Sequence, residues 1–171
     1  MTRGGAAIVP FAPRHGGDVL RVIGSVFREY GATFEPAGFD ADLTDIGRRY
    51  LDAGGCFAVL EDAGQVVGTV AAIPHDGATC EIKRLYLLPE YRGRGLGRAL
   101  MEHVLGWAET SGYRAALAWS DTRFTTAHRV YERLGFERCG ERTLDDADRS
   151  REYGFRRALA PGAPRPPSGA A

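Results

Sequence analysis

Several features that would place a chain in a specialised class are missing from this sequence. No run of about 18 apolar residues occurs, so the sequence predicts no membrane-spanning helix. Cys56, Cys80 and Cys139 are odd in number and form no C-x-x-C pair, which disfavours a disulfide framework or a zinc site and predicts reduced thiols. The four histidines share no ligand spacing, and we therefore expect no metal.

An excess of charge of one sign is also missing. The 22 basic and 22 acidic side chains give a formal net charge of zero, which disfavours binding to nucleic acid or to an anionic membrane. Lysine is nearly absent, since Lys83 is the only one, and this Arg-, Gly- and Ala-rich composition is typical of a GC-rich genome. Residues 1–5 are not followed by the apolar segment that a signal peptide requires, so we expect a cytoplasmic protein.

The apolar pattern predicts one α/β domain over residues 1–159. The predicted order of elements is a strand at 6–12, helices at about 18–30 and 41–53, strands at 57–60, 66–73 and 79–88, a helix at 96–112, a strand at 114–120, a helix at 125–134, and strands from 136 and at 151–159. This order is typical of a mixed, mostly antiparallel twisted sheet with a central β-α-β unit and flanking helices. Residues 160–171 are rich in Pro, Gly and Ala and predict a disordered tail.

Two details of the predicted helices can be checked against a structure. Asp18 stands where it can cap the first helix. Leu43, Ile46 and Tyr50 recur at helical spacing, so they are expected on the inner side of the second helix.

The most informative segment, residues 85–97, runs from an apolar strand through a glycine-rich turn into an amphipathic helix. Unblocked backbone N–H groups at such a helix start hold phosphates. The spacing Arg92-x-x-Gly95-x-Gly97 fits neither the dinucleotide pattern G-x-G-x-x-G nor the Walker pattern, which needs Gly-Lys-Ser/Thr. With Gly93, three glycines alternate here, more than a tight turn without a ligand requires.

This turn resembles the Gln/Arg-x-x-Gly-x-Gly/Ala turn with which the GNAT N-acetyltransferases bind the pyrophosphate of acetyl-CoA. Residues 81–87 resemble the fourth strand of that family, and residues 127–136 resemble its Ala-x-x-x-Tyr-x-x-x-Gly-Phe block. The predicted order of elements is also the family's, over about residues 6–159. The resemblance implies a GNAT-like domain that transfers an acetyl group directly from acetyl-CoA to a primary amine, of a small molecule or a peptide, in a ternary complex.

The resemblance also implies where acetyl-CoA lies. In the family the fourth and fifth strands splay apart, and the pantetheine arm inserts there like an extra strand. The backbone of Leu85, Tyr86 and Leu87 would pair with it, and the N–H of Leu87 would stabilise the oxyanion. The pyrophosphate would be held by the turn and its neighbouring positive charge, that is by Arg92, Gly93, Arg94, Gly95, Leu96, Gly97 and Arg98.

Two side chains match catalytic positions of the family. Glu81 stands eleven residues before Arg92, like the glutamate that takes the proton of the amine, although a solvated or arginine-paired glutamate is the alternative. Tyr131 matches the tyrosine that protonates the departing thiolate of coenzyme A, although it could simply pack against the groove. Asp121 is a second candidate for the base or for binding a cationic substrate, while a cap for the following helix is its simpler interpretation.

One position departs from the family pattern. Many members have Asn-x-x-Ala before the tyrosine, whereas Phe124 stands in place of the asparagine here. Asp121, Thr122 or Thr125 could replace its contact to pantetheine, or the contact could be absent. The departure favours a second hypothesis, a non-catalytic sensor or regulatory module that binds coenzyme A, whereas the presence of both Glu81 and Tyr131 disfavours it.

The acceptor is left open by the sequence. In the family fold its groove would be formed by about residues 29–50 and 142–153, whose acids and aromatic rings favour a cationic amine. The resemblance also makes a homodimer a candidate assembly.

Overall fold

A computed structural model describes residues 5–160. Its elements, in chain order, are β1 (Ala7–Pro10), α1 (Gly16–Glu29), β2 (Cys56–Asp62), β3 (Gln65–Pro74), β4 (Thr79–Leu87), α2 (Leu96–Thr110), β5 (Ala115–Asp121), α3 (Thr125–Arg133), β6 (Glu137–Thr143) and β7 (Arg151–Ala158). The tail predicted from residue 160 lies, except for that first residue, outside the described residues.

One seven-stranded sheet organises the fold, with the strand order β1-β2-β3-β4-β5-β7-β6. Neighbouring strands are antiparallel except β4 and β5, which run parallel and are joined by α2. The centre of β3 is buried without a break over residues 66–72. Because successive side chains of a strand point to opposite faces, both faces of the sheet centre are covered. The predicted fold class is confirmed.

The helix predicted over residues 41–53 is wrong. A 3₁₀ turn (Ala41–Thr44) and a π-helical turn (Gly47–Leu51) stand there instead. The apolar spacing still holds, since Leu43, Ile46 and Tyr50 are all buried. Ion pairs with a distant strand, described below, hold the start of this segment, and these tertiary contacts outweigh its helical pattern.

The predicted cap at Asp18 is also wrong. The first helix begins at Gly16, so Asp18 lies inside its first turn. Its carboxylate accepts hydrogen bonds from the Val66 backbone N–H and the Arg21 side chain, both at 3.2 Å. Asp18 therefore joins the start of the helix to β3.

None of the helices among residues 5–160 has the length and apolar character needed to cross a membrane.

Candidate active site

Strands β4 and β5 separate partway along their length. Their parallel ladder joins residues 79–82 to residues 115–118, and within the described residues it ends there, although both strands continue. The register between β4 and β3 shifts near the same point, which forms a bulge. Arg84 lies there with a φ of 58°, a conformation that residues other than glycine rarely adopt. The bulge turns β4 away from β5 and leaves a gap between the two strands.

The backbone amide of Leu87 points into this gap. The N–H of Leu88 donates to the carbonyl of Val67 at 3.0 Å, and therefore faces β3. Amides alternate in direction along a strand, so the N–H and C=O of Leu87 point away from β3. The hydrogen bond that the Leu87 carbonyl accepts from Nε of Arg92, at 2.9 Å, agrees with this direction.

The glycine-rich turn brings the start of α2 to the same gap. Gly93 and Gly95 have φ values of 73° and 76°, which glycine adopts without steric cost, and Gly95 directly precedes the helix. A side chain at either position would meet no atom within 4 Å, so both glycines border open space. The first amides of α2 lack partners within the helix and point toward this space.

A groove of about 380 Å³ follows the turn between the edge of β4, the start of α2 and one face of α3. Most of the predicted cofactor-binding residues line it, namely Leu85, Tyr86, Leu87, Arg92, Gly93, Gly95, Gly97 and Arg98. Two do not. Leu96 packs against the hydrophobic core, and the guanidinium of Arg94 lies 5.6 Å from the ring centre of Tyr91.

The unpaired positive charge of the groove comes from arginines other than those expected from the sequence. The guanidinium of Arg92 donates to both carboxylate oxygens of Glu29, at 2.6 and 2.8 Å, and Arg98 is paired with Glu102. Arg129 and Arg133 also line the groove, and within residues 5–160 neither is paired with a carboxylate. Sequence reasoning missed these two, although their spacing of four residues places them on one face of α3.

A second cavity of about 180 Å³ adjoins the groove and is called here the acceptor cavity. Glu81 and Tyr131, the predicted base and acid, both line it. Leu85, Tyr86, Phe124 and Ala127 line both spaces. The structure therefore brings the groove, the two candidate catalytic side chains and the gap in the sheet together.

Tyr131 is almost completely buried, with 4% of its surface exposed. Its ring packs on Phe136 and Phe155, with ring centres 5.6 and 5.1 Å away. Burial raises the pKa of Tyr131, so the hydroxyl stays protonated at neutral pH. Within the described residues no side chain bonds to this hydroxyl, which leaves its proton free to be donated.

Glu81 lies near the start of β4 with its side chain largely covered. One carboxylate oxygen is 3.3 Å from Nζ of Lys83, and the other is 3.9 Å from Nδ1 of His75. These contacts leave further lone pairs of the carboxylate available to a proton in the cavity.

Asp121 does not cap α3, so that interpretation is wrong. The helix begins at Thr125, and the carboxylate of Asp121 instead binds Nε and Nη2 of Arg123 at 2.9 and 2.7 Å. Burial acts to raise the pKa of Asp121, but the hydrogen bonds and charge of Arg123 outweigh it and lower the pKa. A carboxylate held in this way is a poor base.

Phe124 is part of an aromatic cluster at the junction of the two spaces. Its ring centre lies 5.8 Å from those of Phe27 and Tyr86, and 5.1 Å from that of Tyr30. The position that holds asparagine in many GNAT members therefore contributes an apolar wall here.

Arg84 connects the bulge to the segment that precedes β2. Its guanidinium binds Asp40 at 2.8 Å and both oxygens of Asp42, at 2.5 and 3.1 Å. Asp42 also accepts a hydrogen bond from the hydroxyl of Tyr50. Sequence reasoning did not find this network, because the partners lie more than 40 residues apart along the chain.

Within residues 5–160, no group of three or more His, Cys, Asp or Glu side chains is placed to hold a metal ion.

The forked sheet and the glycine turn lie in the part of the chain that a known family model matches. The family model for the acetyltransferase (GNAT) family matches residues 23–136, more than half of the chain, and the chain belongs to that family. Human N-acetyltransferase 8B is 38% identical over 106 residues, which are 58% of this chain and 47% of that protein. The chain spans about half the length of the curated relatives it matches.

Solved structures show the same fold. An acetyltransferase of the GNAT family from Staphylococcus aureus superposes with a TM-score of 0.79 at 20% identity, covering 91% of this chain and 100% of that one. A GNAT superfamily phosphinothricin acetyltransferase from Sinorhizobium meliloti, solved in complex with AcCoA, superposes with a TM-score of 0.68 at 24% identity, covering 96% and 94%.

Proposed function

We propose that this chain is an acetyl-CoA-dependent N-acetyltransferase that transfers the acetyl group directly to a primary amine in a ternary complex. One observation carries the proposal. The long groove beside the glycine turn and the acceptor cavity meet at the gap between β4 and β5, and share walls there. Two substrates held in these spaces would therefore meet at one point.

The residues of the groove fit acetyl-CoA. The amides that begin α2 are suited to a pyrophosphate, and the unpaired Arg129 and Arg133 supply positive charge beside them. The exposed edge of residues 83–87 is suited to an extended pantetheine arm, which would pair like a strand. When bound, acetyl-CoA supplies an activated acetyl group on a thiol leaving group.

Three groups of the chain then act on the transfer. The Glu81 carboxylate takes the proton of the attacking ammonium, which leaves a nucleophilic nitrogen lone pair. The Leu87 N–H donates to the acetyl oxygen as negative charge develops on it. The nitrogen bonds to the acetyl carbon, and as the carbon–sulfur bond breaks the Tyr131 hydroxyl gives its proton to the departing thiolate and regains one from the nitrogen, which becomes the neutral amide. Since no step requires a thiol of the protein, no covalent acyl-enzyme is formed.

The test is a thiol-release assay with acetyl-CoA and a panel of primary amines, run on four variants. Glu81→Gln and Tyr131→Phe are each expected to lower kcat about 100-fold. The rise in melting temperature on adding acetyl-CoA should stay as in the unmodified protein, because neither side chain holds the cofactor. Glu109→Gln and Tyr113→Phe, which change residues outside both cavities, are the matched controls.

Turnover unaffected by both active-site substitutions would overturn the assigned roles. A rise in melting temperature with acetyl-CoA, but no thiol release with any amine, would favour the sensor module instead. Phe124 at the asparagine position is the feature on which that alternative depends.

A further inference from the structure

The acceptor cavity carries more negative than positive charge. Seven carboxylates and four cationic side chains line it, a formal excess of three negative charges. What matters for a ligand is how many of these charges already have a partner, because a paired charge is a weak binding group.

Two of the four cations each hold two carboxylates. Arg84 binds Asp40 and Asp42 as described above. Arg123 binds Asp121 through two nitrogens and lies 3.3 Å from the carboxylate of Asp148. Neither guanidinium is therefore available to a substrate carboxylate.

The other two cations are also paired. Lys83 lies 3.3 Å from the carboxylate of Glu81. Arg142 donates to Glu152 at 2.6 Å, and its guanidinium lies 4.4 Å above the ring of Trp119. Among the described residues, the cavity thus offers no unpaired cation.

Two carboxylates of the same cavity have no such partner. Within residues 5–160, neither Glu35 nor Asp146 is paired with a cation. One oxygen of Asp146 accepts the backbone N–H of Ser150 at 2.7 Å, and the rest of its charge faces the cavity uncompensated. The net potential therefore favours a cation.

The remaining wall is apolar and aromatic. Phe27, Tyr86 and Phe124 pack against one another with ring centres 5.6 to 5.8 Å apart, and Tyr86 and Phe124 lie edge to face. Phe39 also lines the cavity and is 52% exposed, an unusually open position for so large an apolar side chain. Together these rings suit the apolar body of a ligand.

We infer that the acceptor is a primary amine with an apolar or aromatic body and no carboxylate. This inference rests on the proposed function and names the substrate class of that site. The ammonium and the rings of the cavity attract such a molecule. An α-amino acid of the same shape would bring a carboxylate into a cavity with surplus negative charge and no free cation, at a cost in desolvation and repulsion.

The experiment compares amines that differ only in the carboxylate. Tyramine and tyrosine, and phenethylamine and phenylalanine, are assayed with saturating acetyl-CoA. We expect kcat/KM at least tenfold higher for the amine of each pair, which corresponds to 1.4 kcal/mol. Equal values, or a preference for the amino acids, would overturn the inference. Propylamine tests the apolar body, and it should be a poorer acceptor than phenethylamine.

A matched pair of variants tests the electrostatic cause. Asp146→Asn keeps an oxygen for the Ser150 amide but removes the charge, so the preference for tyramine over tyrosine should fall at least threefold, mainly through KM. Asp145→Asn removes a fully exposed charge outside the cavity and should leave the preference unchanged. A preference that survives Asp146→Asn would overturn this explanation of the specificity.

Failure of the inference can be told from failure of the proposed function. If acetyl-CoA raises the melting temperature but no amine releases thiol, the proposed enzymatic function fails. Calorimetric binding to the protein loaded with coenzyme A then decides the inference, because tighter binding of tyramine than of tyrosine supports it, and equal or weaker binding overturns it.

Discussion

Replacing Arg84 by glutamine should destabilise the fold far more than replacing a surface arginine. The Arg84 side chain is 11% exposed, and its partner Asp40 is 5% exposed. Burial opposes the charged form of Asp42, yet the charge and hydrogen bonds of Arg84 lower the pKa of that carboxyl. Arg84→Gln would leave two covered carboxylates without their cation.

The magnitude follows from the burial of the pair. Removing one partner of a buried ion pair costs about 3–5 kcal/mol. For a chain of this size, about 2–4 °C of melting temperature correspond to each kcal/mol, so we expect a loss of about 6–20 °C. The matched control is Arg151→Gln, because Arg151 binds Glu141 at 2.8 Å while their side chains are 64% and 52% exposed. That exposed pair should contribute less than about 1 kcal/mol.

A further substitution separates the ion pairs from the backbone. Glutamine keeps the unfavourable φ of 58° at position 84, whereas glycine adopts this φ freely and relieves about 1–2 kcal/mol of backbone strain. Arg84→Gly should therefore melt at a higher temperature than Arg84→Gln. Thermal denaturation followed by circular dichroism measures all three variants. A loss for Arg84→Gln no larger than that for Arg151→Gln would refute the reasoning.

Two more predictions concern the glycine turn and the rim of the acceptor cavity. Gly95→Ala forces alanine to a φ of 76° and should lower the melting temperature by about 2–8 °C. The control Gly106→Ala lies in open space inside α2 and should raise the melting temperature by a few degrees. A rise in melting temperature for Gly95→Ala would contradict the assigned turn. Because Arg123 lowers the pKa of Asp121 below its ordinary 3.8, the stability from this pair is complete above about pH 4 and is lost as the pH falls through the lowered pKa. In urea unfolding between pH 5 and 2.5, the free energy of unfolding should fall less steeply with pH for Arg123→Gln than for the unmodified protein. Equal slopes would count against the pair.

Local patterns predicted much of this fold. The strands at 57–60 and 66–73, the strand before the glycine turn and the helix after it all follow from short-range spacing, and all are present. The segment 41–53 shows the limit of such patterns. Its apolar residues are buried as predicted, but the segment forms two short turns in place of a regular helix, and ion pairs from Arg84 hold its start.

The candidate site shows the same division. Eight of the residues that line the groove were named from the sequence, because the glycine turn and the strand before it form one continuous segment. Arg129 and Arg133 were not, since a charged pair on a helix face is usually solvated, and only the groove makes these two notable. The partner of Arg92 could not be predicted either, because charge pairing with Glu29, 63 positions away along the chain, leaves no local pattern.

The sequence by itself determined the family, the order of the seven strands and of helices α1 to α3, and the position of the glycine-rich turn. These depend on periodicity and on glycine spacing, which act over a few residues. Only the tertiary structure decided that β4 bends away from β5 at Arg84, that two cavities meet at the resulting gap, and which charges of the acceptor cavity remain unpaired. Each of these depends on contacts between segments far apart in the chain, and such contacts exist only once the sheet has formed.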